Sequence, residues 1–175
     1  MSNKEALREL QHRLAERMQA ARSQAPGNSW LAVECGGHDF LLALQQAGEI
    51  FPVPAITPVP HTQAWLAGVA NLRGGLYAVV DLGGFLGLRQ QAPARNDQSR
   101  LVAVNAKLDI NCALLVDRLA GLRNSAELTP VEAPADAGAL PPFVGRRLQD
   151  GQGRVWQELL LQALVVDEHF LSIVA

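Results

Sequence analysis

In VANLRGGLYAVVDLGG, residues 69–84, a single arginine, Arg73, stands at a two-glycine corner between apolar runs. A guanidinium offers five donors in a fixed fork on a stem that can pack. At such a corner it can bind a ligand, bind a partner, or simply point at water. Asp81 and Asp117 are the most suggestive acids, each closing an apolar strand in AVVD and LLVD. A carboxylate in that position caps the first turn of the next element, and two of them brought together could serve acid–base work. The other candidates lead away from catalysis. His12, His38, His61 and His169 have no partner at metal-ligand spacing. GGFLG lacks the Lys and Ser or Thr of a phosphate loop, and GQGRVW has Trp156 where a dinucleotide fingerprint needs its third glycine. There is no G-x-S-x-G elbow, and Cys35, beside Glu34, has no sequence-local histidine base. An enzyme is disfavoured, and neither cofactor nor metal is expected.

Composition narrows the class further. The 175 residues are 49% hydrophobic and 18% charged, so the chain can bury a core and is not disordered. A formal net charge of −2, with no basic stripe, offers no general attraction to nucleic acid or to an anionic membrane. The first 22 residues are charged throughout and do not resemble a signal peptide. The apolar runs fall far short of the ~20 residues of a membrane helix. Cys35 and Cys112 show no C-x-x-C spacing and read as buried reduced thiols. A cytoplasmic protein without membrane insertion is expected.

The elements that must position Arg73 and the acids emerge from periodicity. Residues 1–24 predict an amphipathic helix, opened by a Ser2–Glu5 capping box, with Leu7, Leu10, Leu14, Met18 and Ala21 on one side. The pair Glu9–Arg13 supports its solvent face. The helix reads as packed on its own domain, with partner docking as the alternative. A linker over 25–29 leads to a domain over 30–175, where the period changes to two. WLAVEC and DFLLAL form a hairpin with Leu31, Val33 and Cys35 on one face. The four prolines of IFPVPAITPVPH exclude a central strand. Gly74 and Gly75 suit a two-residue turn, which would pair Arg73 with Leu76 and Leu72 with Tyr77, in a hairpin covered on both faces. DLGGFLGL reads as a helical turn, RLVAVNA and INCALLVD as a second hairpin, and FVGRRLQ and RVWQELL as a third. Residues 124–142 read as the least structured stretch after the linker. Spacing of Leu164, Asp167, Glu168 and Leu171 suggests a helical tail. The sum is a mainly β fold of the barrel or sandwich kind.

WLAGVANLRGGLYAVVDLGGFLGL resembles the signature segment of CheW-like domains, a family of chemosensory adaptors. Gly68, Val69, Asn71, Leu72, Arg73, Gly74, Val80, Asp81, Leu82, Leu86 and Gly87 match its pattern. AGEIFPVPAITPVP looks like the family's upstream segment, with Glu49 at its acidic position; ALLVDRLAGL is similar to its second Val-Asp motif, and FVGRRLQDGQGRVWQELL to its last hairpin. Ala78 replaces the family's usual proline, and Gly83 a frequent basic residue, both near the barrel assigned to kinase binding. The leading helix, WLAGVANLRG and the tail ALVVDEHFLSIVA look most like the PilI branch, which serves type IV pilus twitching motility. The resemblance implies two packed five-stranded SH3-like β-barrels, a leading helix and a possible short C-terminal helix. It also implies a non-enzymatic adaptor between the cytoplasmic tip of a methyl-accepting chemoreceptor and the regulatory domain of a CheA-type histidine kinase. Carried over by position, Arg73, Gly68, Gly74 and Glu49 become receptor-binding residues, with Leu119 as an apolar groove residue and the glycines permitting close helix approach. The alternative is a ligand-binding barrel or enzyme with a cleft formed by Arg73, Glu49 and Asp117.

Overall fold

A computed structural model describes residues 3–24, 29–91 and 95–175, with side chains of the first helix described over residues 4–19. The helix forms as its pattern predicts, as α1 (Asn3–Gln24). Its Glu9 and Arg13 pair at 2.5 Å. Ser2 and residues 25–28 lie outside the described residues, and Ser29 already belongs to the first strand.

Eleven strands come after it among the described residues: β1 (Ser29–Cys35), β2 (His38–Ala43), β3 (Ala47–Pro52), β4 (Leu66–Leu72), β5 (Gly75–Asp81), β6 (Arg100–Val104), β7 (Cys112–Val116), β8 (Arg118–Asn124), β9 (Leu128–Val131), β10 (Val144–Asp150) and β11 (Val155–Leu159). They make two sheets, β8-β1-β2-β11-β10-β9 and β3-β6-β7-β5-β4. The expected pair of five-stranded barrels is therefore corrected to six strands and five. The sixth arises because 124–142 is not wholly irregular: Leu128–Val131 pairs with β10 as an edge strand. Pro130 is tolerated there because an edge strand leaves one side of its ladder unbonded.

Both sheets curl, and the edges of the five-stranded one meet. Thr57, just beyond β3, exchanges backbone bonds of 2.8 and 2.9 Å with Val69 of β4 at the opposite edge. In the six-stranded sheet the edge strands β8 and β9 are joined by the single 3-10 turn Ser125–Glu127. Two pairings are parallel, β2 with β11 and β5 with β7; the rest are antiparallel.

Alternation along the strands divides the core into three. Leu31, Val33 and Cys35 of β1, with Leu114 and Val116 of β7, fill the space between the sheets. Trp30, Ala32 and Trp156 fill the six-stranded sheet, and Leu72, Leu101, Ala113 and Leu115 the five-stranded one. Strands with both faces covered carry unbroken apolar runs, such as CALLV in β7, all buried.

Two local expectations shift. The β4–β5 turn is made by Arg73 and Gly74, which sit at φ +50° and +81°, so Leu72 faces Gly75 and Asn71 faces Leu76. A two-residue turn of this hand requires positive φ at both central positions, and Asn71 Oδ1 accepts from the Gly74 N–H at 2.9 Å. The partner of Leu72 moves by two residues, from Tyr77 to Gly75, and an even shift preserves each predicted face. The tail forms two short helices, α3 (Leu161–Leu164) and α4 (Glu168–Leu171), in place of one. Leu164 is buried and Leu171 exposed, so the two do not share a face; Asp167 caps the second helix through the Phe170 N–H. A further short helix, α2 (Leu82–Phe85), succeeds β5 as expected.

Candidate functional site

Arg73 and Glu49 meet. The turn holds the arginine out from the end of the β4–β5 hairpin, and β3 presents Glu49 from the edge of the same sheet, with Nη2 to Oε1 at 2.6 Å. Both side chains are exposed, so screening by water leaves the pair worth at most about 1 kcal/mol. Its effect is orientation. Beside it lies a cavity of about 410 Å³, lined by Glu49, Ile50, Arg73, Arg100 and Leu119 together with Leu14 and Met18 of α1. Leu119 belongs to β8, the edge of the six-stranded sheet, and Glu49 and Ile50 to β3, the edge of the five-stranded one. The cavity is thus a groove between two sheet edges, roofed by α1.

The two glycines separate. Gly74 is exposed and supplies the turn. Gly68 is buried at φ +138°, and a Cβ there would lie 2.2 Å from the Thr57 carbonyl oxygen. The close approach that Gly68 permits is made by this chain's own backbone, not by a partner at the surface.

Asp81 and Asp117 come together through Arg89, a residue of the loop after α2 that no motif marks. Arg89 Nη1 donates to both Asp117 oxygens at 2.8 Å, its Nε donates to Asp81 Oδ2 at 3.2 Å, and its Nη2 to Asp81 Oδ1. Burial opposes the charge of Arg89, but the bonds to Asp81 and Asp117 outweigh it and raise its pKa. Asp81 holds the N-cap position of α2 yet makes no side-chain capping bond, which corrects the expected role. Asp117 Oδ2 instead accepts from the Gly36 N–H at 2.8 Å, in the β1–β2 turn. The cluster therefore ties the five-stranded sheet to the six-stranded one. Asp117 does not line the Arg73–Glu49 cavity, so the three residues of the alternative cleft do not converge. Nothing in the spacing names Arg89, although a buried strand-end carboxylate such as Asp81 is costly without a cation.

Arg100 carries no such signal. It is 8% exposed, lines the groove, and has the Asp97 and Ser99 carbonyls as described acceptors, at 2.6 and 2.7 Å. A third charged group lies on the six-stranded sheet. There Arg118, with Arg154, bonds Glu34 and lowers its pKa to about 2 against the opposing effect of burial. Arg154 also bonds Asp39 and stacks over Trp156, 4.5 Å from the ring centroid.

Burial raises the pKa of both thiols, Cys35 and Cys112, to about 12, which keeps them neutral and unreactive. His38 and His61 are exposed, as expected. Among the described residues no group of three or more His, Cys, Asp or Glu is placed to hold a metal ion. Among them, too, no helix is long and apolar enough to cross a membrane.

Comparison with known proteins agrees with this architecture. Protein PilI of Pseudomonas aeruginosa is 34% identical over 138 residues, covering 75% of this chain and 73% of that protein. The chemotaxis protein CheW of Rhizobium meliloti is 28% identical over 96 residues, 55% of this chain and 60% of that protein. The crystal structure of the scaffolding protein TtCheW from Thermoanaerobacter tengcongensis superposes with a TM-score of 0.62 at 19% identity, over 75% of this chain and 88% of that one, which shows a shared fold. The CheW-like domain model matches residues 29–169, from the first residue of β1 into α4. With two curled sheets, the signature turn at Arg73 and that match, the chain belongs to the CheW-like domain family.

Proposed function

We propose that the protein is a non-enzymatic adaptor that couples the cytoplasmic tip of a chemoreceptor to the regulatory domain of a CheA-type histidine kinase. The likeness to Protein PilI supports a chemosensory system of the type IV pilus, governing twitching motility. The observation that carries the receptor side is the convergence of Arg73, Glu49 and Leu119 on one groove between sheet edges. A groove between two edges accepts a helix laid along it, with apolar side chains against Leu119 and Ile50. Arg73, steadied by Glu49 and lifted on its turn beside Gly74, supplies directional donors at one end. The tie through Arg89 holds the sheets in fixed relation, so a receptor face and a kinase face keep a constant separation. Weak individual contacts suffice where an array raises effective concentration.

Titration calorimetry against a receptor-tip fragment and, separately, the kinase regulatory domain tests the reading. Arg73→Ala is expected to weaken receptor binding by about 2 kcal/mol, as a hot-spot arginine does, while kinase binding stays within ~0.5 kcal/mol of wild type. If the folded wild-type protein binds neither partner, the adaptor reading fails.

A further inference from the structure

The groove already has an occupant. α1 places Met18, 5% exposed, in the core between the sheets, with Leu14 half-buried above Leu119. Its hold is partial. Leu7 and Leu10, on the same stripe, remain 38% and 64% exposed. A second cavity of about 930 Å³ opens along the other side of the helix and shares Gln11, Leu14, Arg100 and Leu119 with the first. A helix flanked on both sides by unfilled space packs with few contacts per side chain.

Arg100 adds a charge to the groove. This arginine is nine-tenths buried, and none of the described ion pairs reaches it. α1 sets Gln11 and Leu14 along both cavities that Arg100 lines; its Glu16 lines the second but pairs with His12 on the helix itself. Arg100 Nη1 is held by the Asp97 and Ser99 carbonyls, and a carboxylate brought into the groove would add a charge-assisted bond to the same guanidinium.

We propose that α1 is a displaceable occupant of the groove between the sheets, and that the partner that expels it is an amphipathic helix carrying a carboxylate at Arg100. This rests on the receptor reading above. While α1 is seated, Leu119 and Ile50 are half-buried beside it and the groove lacks room for a second helix. The apparent affinity for the partner is then the intrinsic affinity reduced by the fraction of molecules with α1 out.

The test uses the full chain and the tip hairpin of a cognate chemoreceptor. In Met18→Cys the new thiol reports seating of α1, because Cys35 and Cys112 are buried and give little background. Saturating tip hairpin is expected to raise its labelling rate roughly tenfold. Leu14→Gln, which loosens a half-buried contact without opening the core, is expected to bind the hairpin about 3- to 10-fold more tightly. Arg100→Gln is expected to weaken binding about tenfold, and Arg100→Lys to retain most of it. If the hairpin binds in an Arg73-dependent way but leaves the Met18→Cys rate unchanged or slowed, α1 is not displaced and the proposal is overturned while the adaptor reading stands. Weaker binding by Leu14→Gln overturns it in the same way, by making α1 part of the receptor surface. Equal binding by Arg100→Gln removes the carboxylate requirement. Absence of binding by wild type and all variants removes the adaptor reading and this proposal together.

Discussion

Arg73 occupies a backbone conformation that non-glycine residues seldom adopt, and asparagine tolerates it best. Replacing Arg73 by Asn should therefore leave the turn intact and raise stability by up to about 1 kcal/mol. Receptor binding should fall as it does in Arg73→Ala. Thermal unfolding and calorimetry on one sample would expose the opposition between the two, and loss of stability would show that the side chain supports the fold. A second residue-scale expectation concerns acid. The carboxyl of Glu34 is held down to about 2, so its contribution is complete above its ordinary pKa of 4.5 and fades as pH falls from there toward 2. Glu34→Gln should be less stable than wild type at neutral pH by about 1–2 kcal/mol, after allowance for partial exposure, and the difference should close on the way to pH 2. Denaturant melts at several pH values measure this directly. The receptor-binding role proposed for Arg73 comes only through the family pattern. Its meeting with Glu49 has no local signal beyond that pattern, because Arg73 stands in the β4–β5 turn and Glu49 on β3, at opposite edges of the sheet order.

Elements with strong alternation and glycine turns were readable, and those held by one side only were not. β1 with β2, β6 with β7, and β10 with β11 form the expected hairpins because buried faces fix their register. β8 and β9 did not stand out: RLAGLRN and LTPV carry Arg, Gly and Pro, which edge strands accommodate where interior strands do not. The buried glycine of β4 tests how the five-stranded sheet closes. Gly68→Ala would force a Cβ onto the Thr57 carbonyl at a φ that L residues avoid. A loss of roughly 2 kcal/mol or more is expected in urea unfolding, from strain and from the broken Thr57–Val69 bridge. Gly74→Ala, with open space around it, should lose only the conformational part, about 1 kcal/mol. Equal losses would show that the bridge contributes nothing.

At the scale of the molecule, the union of the two sheets depends on a large apolar core and on polar ties, the Arg89 cluster among them. The core was implied by composition and by faces covered on both sides; the cluster was not, since Arg89 lies in a glutamine-rich loop with no periodicity. Arg89→Met would leave Asp81, 4% exposed, and Asp117 without their cation. A stability loss of roughly 3–5 kcal/mol is expected, as when one partner of a buried pair is removed, read from the midpoint of urea unfolding. An unchanged midpoint would mean that the Arg89 cluster adds nothing to the union of the sheets.

Strand order also governs how the molecule is assembled. All five strands of the smaller sheet come from residues 47–116, whereas the larger sheet draws β1 and β2 from before that stretch and β8–β11 from after it. During synthesis the smaller sheet is released whole, while the β1–β2 hairpin, marginal by itself, has no other strand of its own sheet to join. The finished half then serves as the surface on which that hairpin waits, Leu31 and Val33 against it. Only when β8 and, last, β11 emerge from the ribosome can the larger sheet be completed on both sides of the hairpin.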